Sequence, residues 1–426
     1  MKKNTKISKE KNKKKNKTKK YNLLKTILIL LLLIILATVG YFIYGTMKNG
    51  GGTQGLVATA MGQTQEEIKN LEPFSALLLG SSQNMTDTIM IFKYNPSTQN
   101  AYLISIPRDT YTGYNKAQAT ASDKINCLYL NGGAERTLNA VNRVTGLDLK
   151  YYIVVDTEAL KALVDAIGGV YFDVPIDMKY TDKKQGLYIN LKAGYQLLDG
   201  DKAEQVVRFR HNQDGTSYSF EYGDNDTGRM KTQRNFLKAV MQQTLKPNNI
   251  FKIGNFIDIA KTYLKTNIPI DIMKQYIAPA VNFNVDNLET GTIPGVNEKC
   301  NGVWVFIANK NKTQTYLNEM SNKLSGIDEI SKEELSGIKI ELLNGSGKTS
   351  TLTNVKTLLK NAGFTISKTG TTNLTEKTSI INKSEISDNI ISSIQALLEL
   401  GEISDSLDFE SSVNITIILG KDFNIK

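Results

Sequence analysis

The residues of this sequence best suited to chemistry are four arginines. Arg108 follows the apolar run LISIP, Arg208 and Arg210 stand two apart in VVRFRHN, and Arg229 comes just after Asp226 and Gly228 where a helical pattern begins. A guanidinium group is a planar fork of donors that fits phosphate oxygens, and a helix N-terminus adds positive partial charge. If VVRFRHN is extended, Arg208 and Arg210 project from one face. Four arginines brought together would clamp a pyrophosphate. The competing explanation is that each pairs with a neighbouring Asp109, Asp224 or Asp226 at the surface, but the Asp-x-Gly-Arg helix start and the two arginines on one strand face favour the anion site.

Other reactive groups are few. Asp87, in MTDTIM at a strand entrance, is the leading metal ligand, because Mg²⁺ is held by one or two carboxylates together with phosphate oxygens and water; a single Asp at a strand edge is otherwise a turn residue. His211 adjoins the arginines without the Gly-x-Ser-x-Gly elbow of a hydrolase, so it reads as a neighbour and not a catalyst. With one histidine and only Cys127 and Cys300, a zinc site built from several such ligands is excluded. Whether the two cysteines pair is open on spacing alone. GSGKTS, from Gly345, resembles a P-loop, but the first glycine of that motif falls at Leu342, leaving a turn that leads into a helix.

These residues need elements to carry them. At 426 residues with 40% hydrophobic and 22% charged content, the chain is long enough for about two packed domains. The formal charge of +10 is confined to the first twenty residues, which hold eleven lysines and one acid. The remainder is formally neutral, which argues against a nucleic-acid surface. Thr26 to Tyr44 carries no charge and is long enough to span a bilayer. Lysines on its N-terminal flank place the tail in the cytoplasm and the bulk of the chain outside. The predicted organisation is a basic tail (1–25), a single transmembrane helix (26–45), a Gly-, Thr- and Gln-rich stalk (46–70), a main domain (71–320), a polar linker (321–336) and a small α/β domain (337–426).

Within the main domain, SALLLG, DTIMIFKYN, NAYLISIP, YYIVVD and GVYFDVP read as strands, while Gly133 to Val144, EALKALVDAIGG and RMKTQRNFLKAVMQQTL show helical spacing. Strand and helix alternate, the pattern of an α/β domain with helices packed on a sheet.

The ordered set LLLG, DTIMIF, SIPRDT, DKIN, VRFRH and DTGRMKTQR resembles the LytR-CpsA-Psr family from about Leu71 to Met320, and ELLNGSGKT with NITIILGKDF resembles the small domain appended to many members. The resemblance implies a mixed α/β sheet with helices on both faces, a hydrophobic pocket for a polyprenyl tail, and Mg²⁺ at its mouth. It also implies transfer of teichoic acid, capsule or a related polymer from a polyprenyl pyrophosphate carrier to peptidoglycan at a Gram-positive cell surface. By position, Asp87 would hold the metal, Arg108, Arg208, Arg210 and Arg229 would hold the pyrophosphate, and Asp226 would be the base beside the acceptor hydroxyl. One departure is Ser82, where the family often has Asp: either its hydroxyl contributes directly or through water, or the site binds metal more weakly. The alternative is a non-catalytic surface protein that binds the same lipid or polymer through the same arginines.

Overall fold

The computed structural model describes residue 34 and residues 36–423, apart from 83, 84, 224, 251, 328, 329, 385 and 409. The basic tail and most of the first half of the predicted span fall outside the described residues. Among those described, no helix is long and apolar enough to cross a membrane.

The chain divides into two compact units, 1–68 and 69–426. In the first, part of the predicted stalk, Gly52–Met61, is a helix, with Asn49 Nδ2 donating to Thr59 Oγ1 at 3.1 Å. Gly51 and Gly62 flank it with left-handed backbone at φ 73° and 72°, while Gly52 and Gly55 lie within the helix.

The second unit is built on a six-stranded sheet: β1 (Phe74–Ser82), β2 (Met85–Asn95), β3 (Asn100–Ser105), β4 (Tyr152–Asp156), β5 (Lys265–Thr266) and β6 (Leu288–Thr292), in the order β6-β3-β2-β1-β4-β5. The β1/β2, β2/β3 and β4/β5 pairs are antiparallel, and the β1/β4 and β3/β6 pairs are parallel. The inner strands are apolar at consecutive positions because both faces are covered. On one face Leu77, Leu79, Ile91 and Ile104 pack with Leu138 and Val141 of helix α1 (Gly133–Thr145) and with Leu317 and Met320 of a later helix, Lys310–Ser325. On the other, Met90 and Leu103 meet Leu237 and Met241.

A third core joins helix α2 (Thr157–Ala166), helix α3 (Gly200–Arg208), the antiparallel pairs Val170–Val174/Gly194–Leu198 and Met178–Asp182/Leu187–Leu191, and Phe236 of helix α4 (Asn225–Thr244). After α2 the chain reverses through Gly168 and Gly169, both left-handed at φ 81° and 84°. The strand expected at VVRFR is corrected here, since residues 200–208 are helical. Asp199 caps that helix by accepting from Lys202 N at 2.9 Å, and Ala203 and Val206 bury one face of it. Cap and amphipathic face outweigh the strand propensity of the two valines.

The C-terminal portion has its own core and a five-stranded sheet, ordered Thr365–Thr371, Lys339–Asn344, Ile415–Leu419, Ser379–Asn382, Glu402–Asp405. The polar linker expected at 321–336 is also corrected. Residues 321–325 finish a helix, Lys332–Gly337 is another, and Ile327, Ile330 and Leu335 are buried in the C-terminal core. Ser393 Oγ donates to Ser325 O at 2.6 Å, and Lys93 of β2, itself buried, forms an ion pair with Glu399. Removing one partner from such a pair leaves a desolvated charge with its ion pair broken. Glu399→Gln should therefore cost about 3 kcal/mol of stability, read as a lower urea midpoint with an unchanged slope.

Candidate active site

The cavity lies where the second face of the sheet meets α2, α3 and α4. It encloses about 580 Å³, walled by apolar side chains that include Leu78, Met90, Leu160, Leu163, Val207, Phe236 and Val240. Five residues singled out from sequence also line it, namely Asp87, Arg108, Arg208, Arg210 and Arg229, and His211 lies with them.

Each charged group has a local reason for its place. In the β1/β2 hairpin, Gly80 pairs with Thr88 and Ser81 with Thr86, leaving Asp87 as an unpaired bulge residue. A bulge re-aims a side chain out of strand alternation, and Asp87 Oδ1 accepts from Arg108 Nη1 at 2.6 Å. Arg108 stands on the turn after β3, which is held by Thr110 N to Pro107 O (2.9 Å), Asn126 N to Arg108 O (3.2 Å) and Phe306 N to Asp109 O (2.9 Å). Lys124 of DKIN pairs with Asp109 at 3.2 Å, which ties that motif to the turn. Burial works against the charge on Arg108, yet the Asp87 hydrogen bond and the nearby carboxylates of Asp226 and Asp109 hold its pKa above the ordinary value.

Arg229 lies one turn inside α4, not at its first residue, and is only 2% exposed. Its Nη2 is 2.8 Å from Asp226 Oδ1, although the alignment is not that of a hydrogen bond, and Nε also lacks an acceptor. Burial pushes its pKa down, and Arg108 and Arg210 push the same way, against Asp226 and Asp87. Gly228 lets the helix approach the ring of Tyr218, because a Cβ there would fall 2.6 Å from Tyr218 Cγ. Buried donors without acceptors are costly and uncommon in a native fold. Here Arg108 Nε joins the two of Arg229, so the site is electrostatically suited to an anion.

The arginines are not equivalent. Arg208, at the end of α3, gives Nη1 to Glu204 (2.8 Å) and Nη2 to Gln185 (2.9 Å), so it lines the cavity with both ends occupied. Arg210, beyond the helix, is exposed. Asp226 is not among the residues lining the cavity and serves as counter-ion to Arg229. The sequence reading missed Gln185, Tyr180 and Asp156 in the lining, and only YYIVVD, whose last residue is Asp156, carried a signal for any of them.

Among the described residues no group of three or more His, Cys, Asp or Glu could hold a metal ion. Asp87 is the carboxylate beside the arginines, and Ser81 and Ser82 line the same cavity. This donor set fits a cation shared with bound phosphate oxygens and not a cage made by the protein alone. Cys127 and Cys300 are both free thiols.

A sequence model described as the LytR_cpsA_psr family matches residues 44–322, and one described as LytR cell envelope-related transcriptional attenuator matches residues 337–423. The chain is 29% identical over 280 residues to a protein of Bacillus cereus named polyisoprenyl-teichoic acid–peptidoglycan teichoic acid transferase TagU, covering 64% of this chain and 84% of the relative. The TagU protein of Bacillus mycoides is 30% identical over 275 residues, covering 62% and 82%. A crystal structure of a Streptococcus agalactiae protein matches the fold with a TM-score of 0.50 at 21% identity, over 59% of this chain and 88% of that one.

Arg229 is held in the fold at a cost that an anion offsets. Arg229→Met should weaken binding of inorganic pyrophosphate at least about tenfold while leaving the melting temperature unchanged or raised, as measured by calorimetric titration and thermal unfolding.

Proposed function

Since the chain belongs to the LytR-CpsA-Psr family, we propose that it transfers a phosphate-linked glycopolymer from a polyprenyl pyrophosphate carrier to peptidoglycan, forming a phosphodiester at the cell surface. The observation that carries this is the junction of an apolar cavity with buried, acceptor-less arginine donors. A ligand that satisfies both must join a hydrocarbon chain to a multiply charged anion. The names of the Bacillus relatives point the same way. The lysine-rich tail and the charge-free run after it support a single-pass anchor with the N-terminus in the cytoplasm, on the membrane that holds the lipid carrier.

In this scheme the apolar wall takes the first part of the polyprenyl chain and excludes water from it. Arg229 and Arg108, held by Asp226 and Asp87, supply fixed donors to the non-bridging oxygens, where charge builds during phosphoryl transfer. Arg210 adds charge from the exposed side, and Arg208 chiefly shapes the wall. Mg²⁺, when bound by Asp87 and the phosphates, would neutralise further charge on the diphosphate. Ser82 adds no carboxylate, so metal affinity depends on the substrate being present.

Transfer of a labelled polyprenyl pyrophosphate-linked saccharide to peptidoglycan oligomers is the direct test. Product should require Mg²⁺, and Arg108→Ala should lower kcat/KM by about 10²-fold or more. Chelation should abolish product while the donor stays bound. Donor bound without product under every metal condition would replace the transferase with a lipid-binding surface protein.

A further inference from the structure

Transfer to a sugar hydroxyl releases a proton, and the groups around the cavity differ in their freedom to take it. Asp226 faces buried Arg229, and protonating it would leave that guanidinium without its counter-ion. Asp87 is hydrogen bonded to Arg108. Asp156 caps α2, accepting from Ala159 N at 2.9 Å. Each carboxylate is already used to hold a cation or a helix end in place.

His211 is different. Its Nδ1 lies 2.8 Å from the carbonyl oxygen of Asn212. A carbonyl only accepts, so Nδ1 carries the hydrogen, and in the neutral ring Nε2 keeps its lone pair. That carbonyl is not a loose loop atom. Asn212 Oδ1 accepts from Lys179 N at 2.6 Å, its Nδ2 donates to Asp177 O at 3.1 Å, and its N donates to Thr216 O at 2.7 Å. The ring also meets Tyr180 edge-on, with centroids 5.2 Å apart. The tautomer and the ring plane are thus fixed by backbone pinned to the Met178–Asp182 strand. His211 is exposed and lines the cavity.

We propose that His211 Nε2 accepts the proton of the attacking hydroxyl, a proposal that rests on the transferase reading above. The hydroxyl oxygen forms a bond to the phosphorus that carries the glycopolymer, and the bond from that phosphorus to the bridging oxygen breaks. Polyprenyl phosphate leaves with the electron pair. The proton passes to Nε2 and then to the departing phosphate or to water, so no further reactant is needed.

The test uses the full chain in detergent, with donor binding, thermal melting and transfer measured separately. His211→Ala should lower kcat about 10²- to 10³-fold with unchanged donor affinity and melting temperature. Added imidazole should restore at least about tenfold, and more basic imidazoles should restore more per neutral molecule. His211→Gln, which keeps a polar side chain of similar reach, should show the same loss if the alanine variant folds poorly. A kcat within threefold of the unsubstituted chain in either folded variant would overturn the proposal, and so would a loss that imidazole leaves untouched. If the unsubstituted chain makes no product, the transferase reading fails and this proposal goes with it.

Discussion

The constraint that organises the active region is the burial of a guanidinium group. Arg229 is nearly inaccessible, forms its ion pair with Asp226, and leaves two of its nitrogens without hydrogen-bond acceptors among the described residues. A fold that accepts such a group must support it from elsewhere, and three cores around the cavity do so. Gly228 allows α4 to close on Tyr218, Phe236 anchors the same helix in the third core, and Leu237 and Met241 fix it to the sheet. The helix that carries the charge is thus held by apolar contacts on two sides, and its position does not depend on the ligand.

Much of this was legible because it is periodic or chemically typed. The inner strands of the sheet and the helices α1 and α2 follow from apolar spacing, and the arginines from their recurrence near turn and helix-start residues. The outcome at Arg208 differed, because strand propensity in VVRFR competes with a cap supplied by Asp199, nine residues upstream, and with a buried face that only the third core defines. Residues 321–336 look solvated in composition, yet the few apolar side chains there, Ile327, Ile330 and Leu335, enter the C-terminal core. Sparse apolar residues decide such segments, and a count of polar ones misleads.

Partner choice among charges was the least legible part. The family resemblance implies a base at Asp226, and the structure shows the same carboxylate paired with Arg229, a partner that the motif alone does not reveal. Asp87 was read as a metal ligand, and its Oδ1 is taken by Arg108, which leaves a cation to be completed by phosphate. His211 was read as a bystander because no nucleophile accompanies it. Its ring is fixed by the carbonyl of Asn212, whose side chain bonds Lys179 N and Asp177 O more than thirty residues away, information that no local motif contains.

The bulge at Asp87 makes chain length a chemical variable. In a regular ladder, residues two apart share a face and a single deletion inverts every side chain beyond it. Here the extra residue between Thr86 and Thr88 absorbs that inversion on the turn side alone. Losing one residue between Ser81 and Thr88 would let the ladder close without the bulge, keep the core strand Ile89–Ile91 in register, and remove the carboxylate from Arg108. The acid's position is therefore encoded by counting residues as much as by their identity, so a hairpin of altered length could keep its fold and lose its cation chemistry.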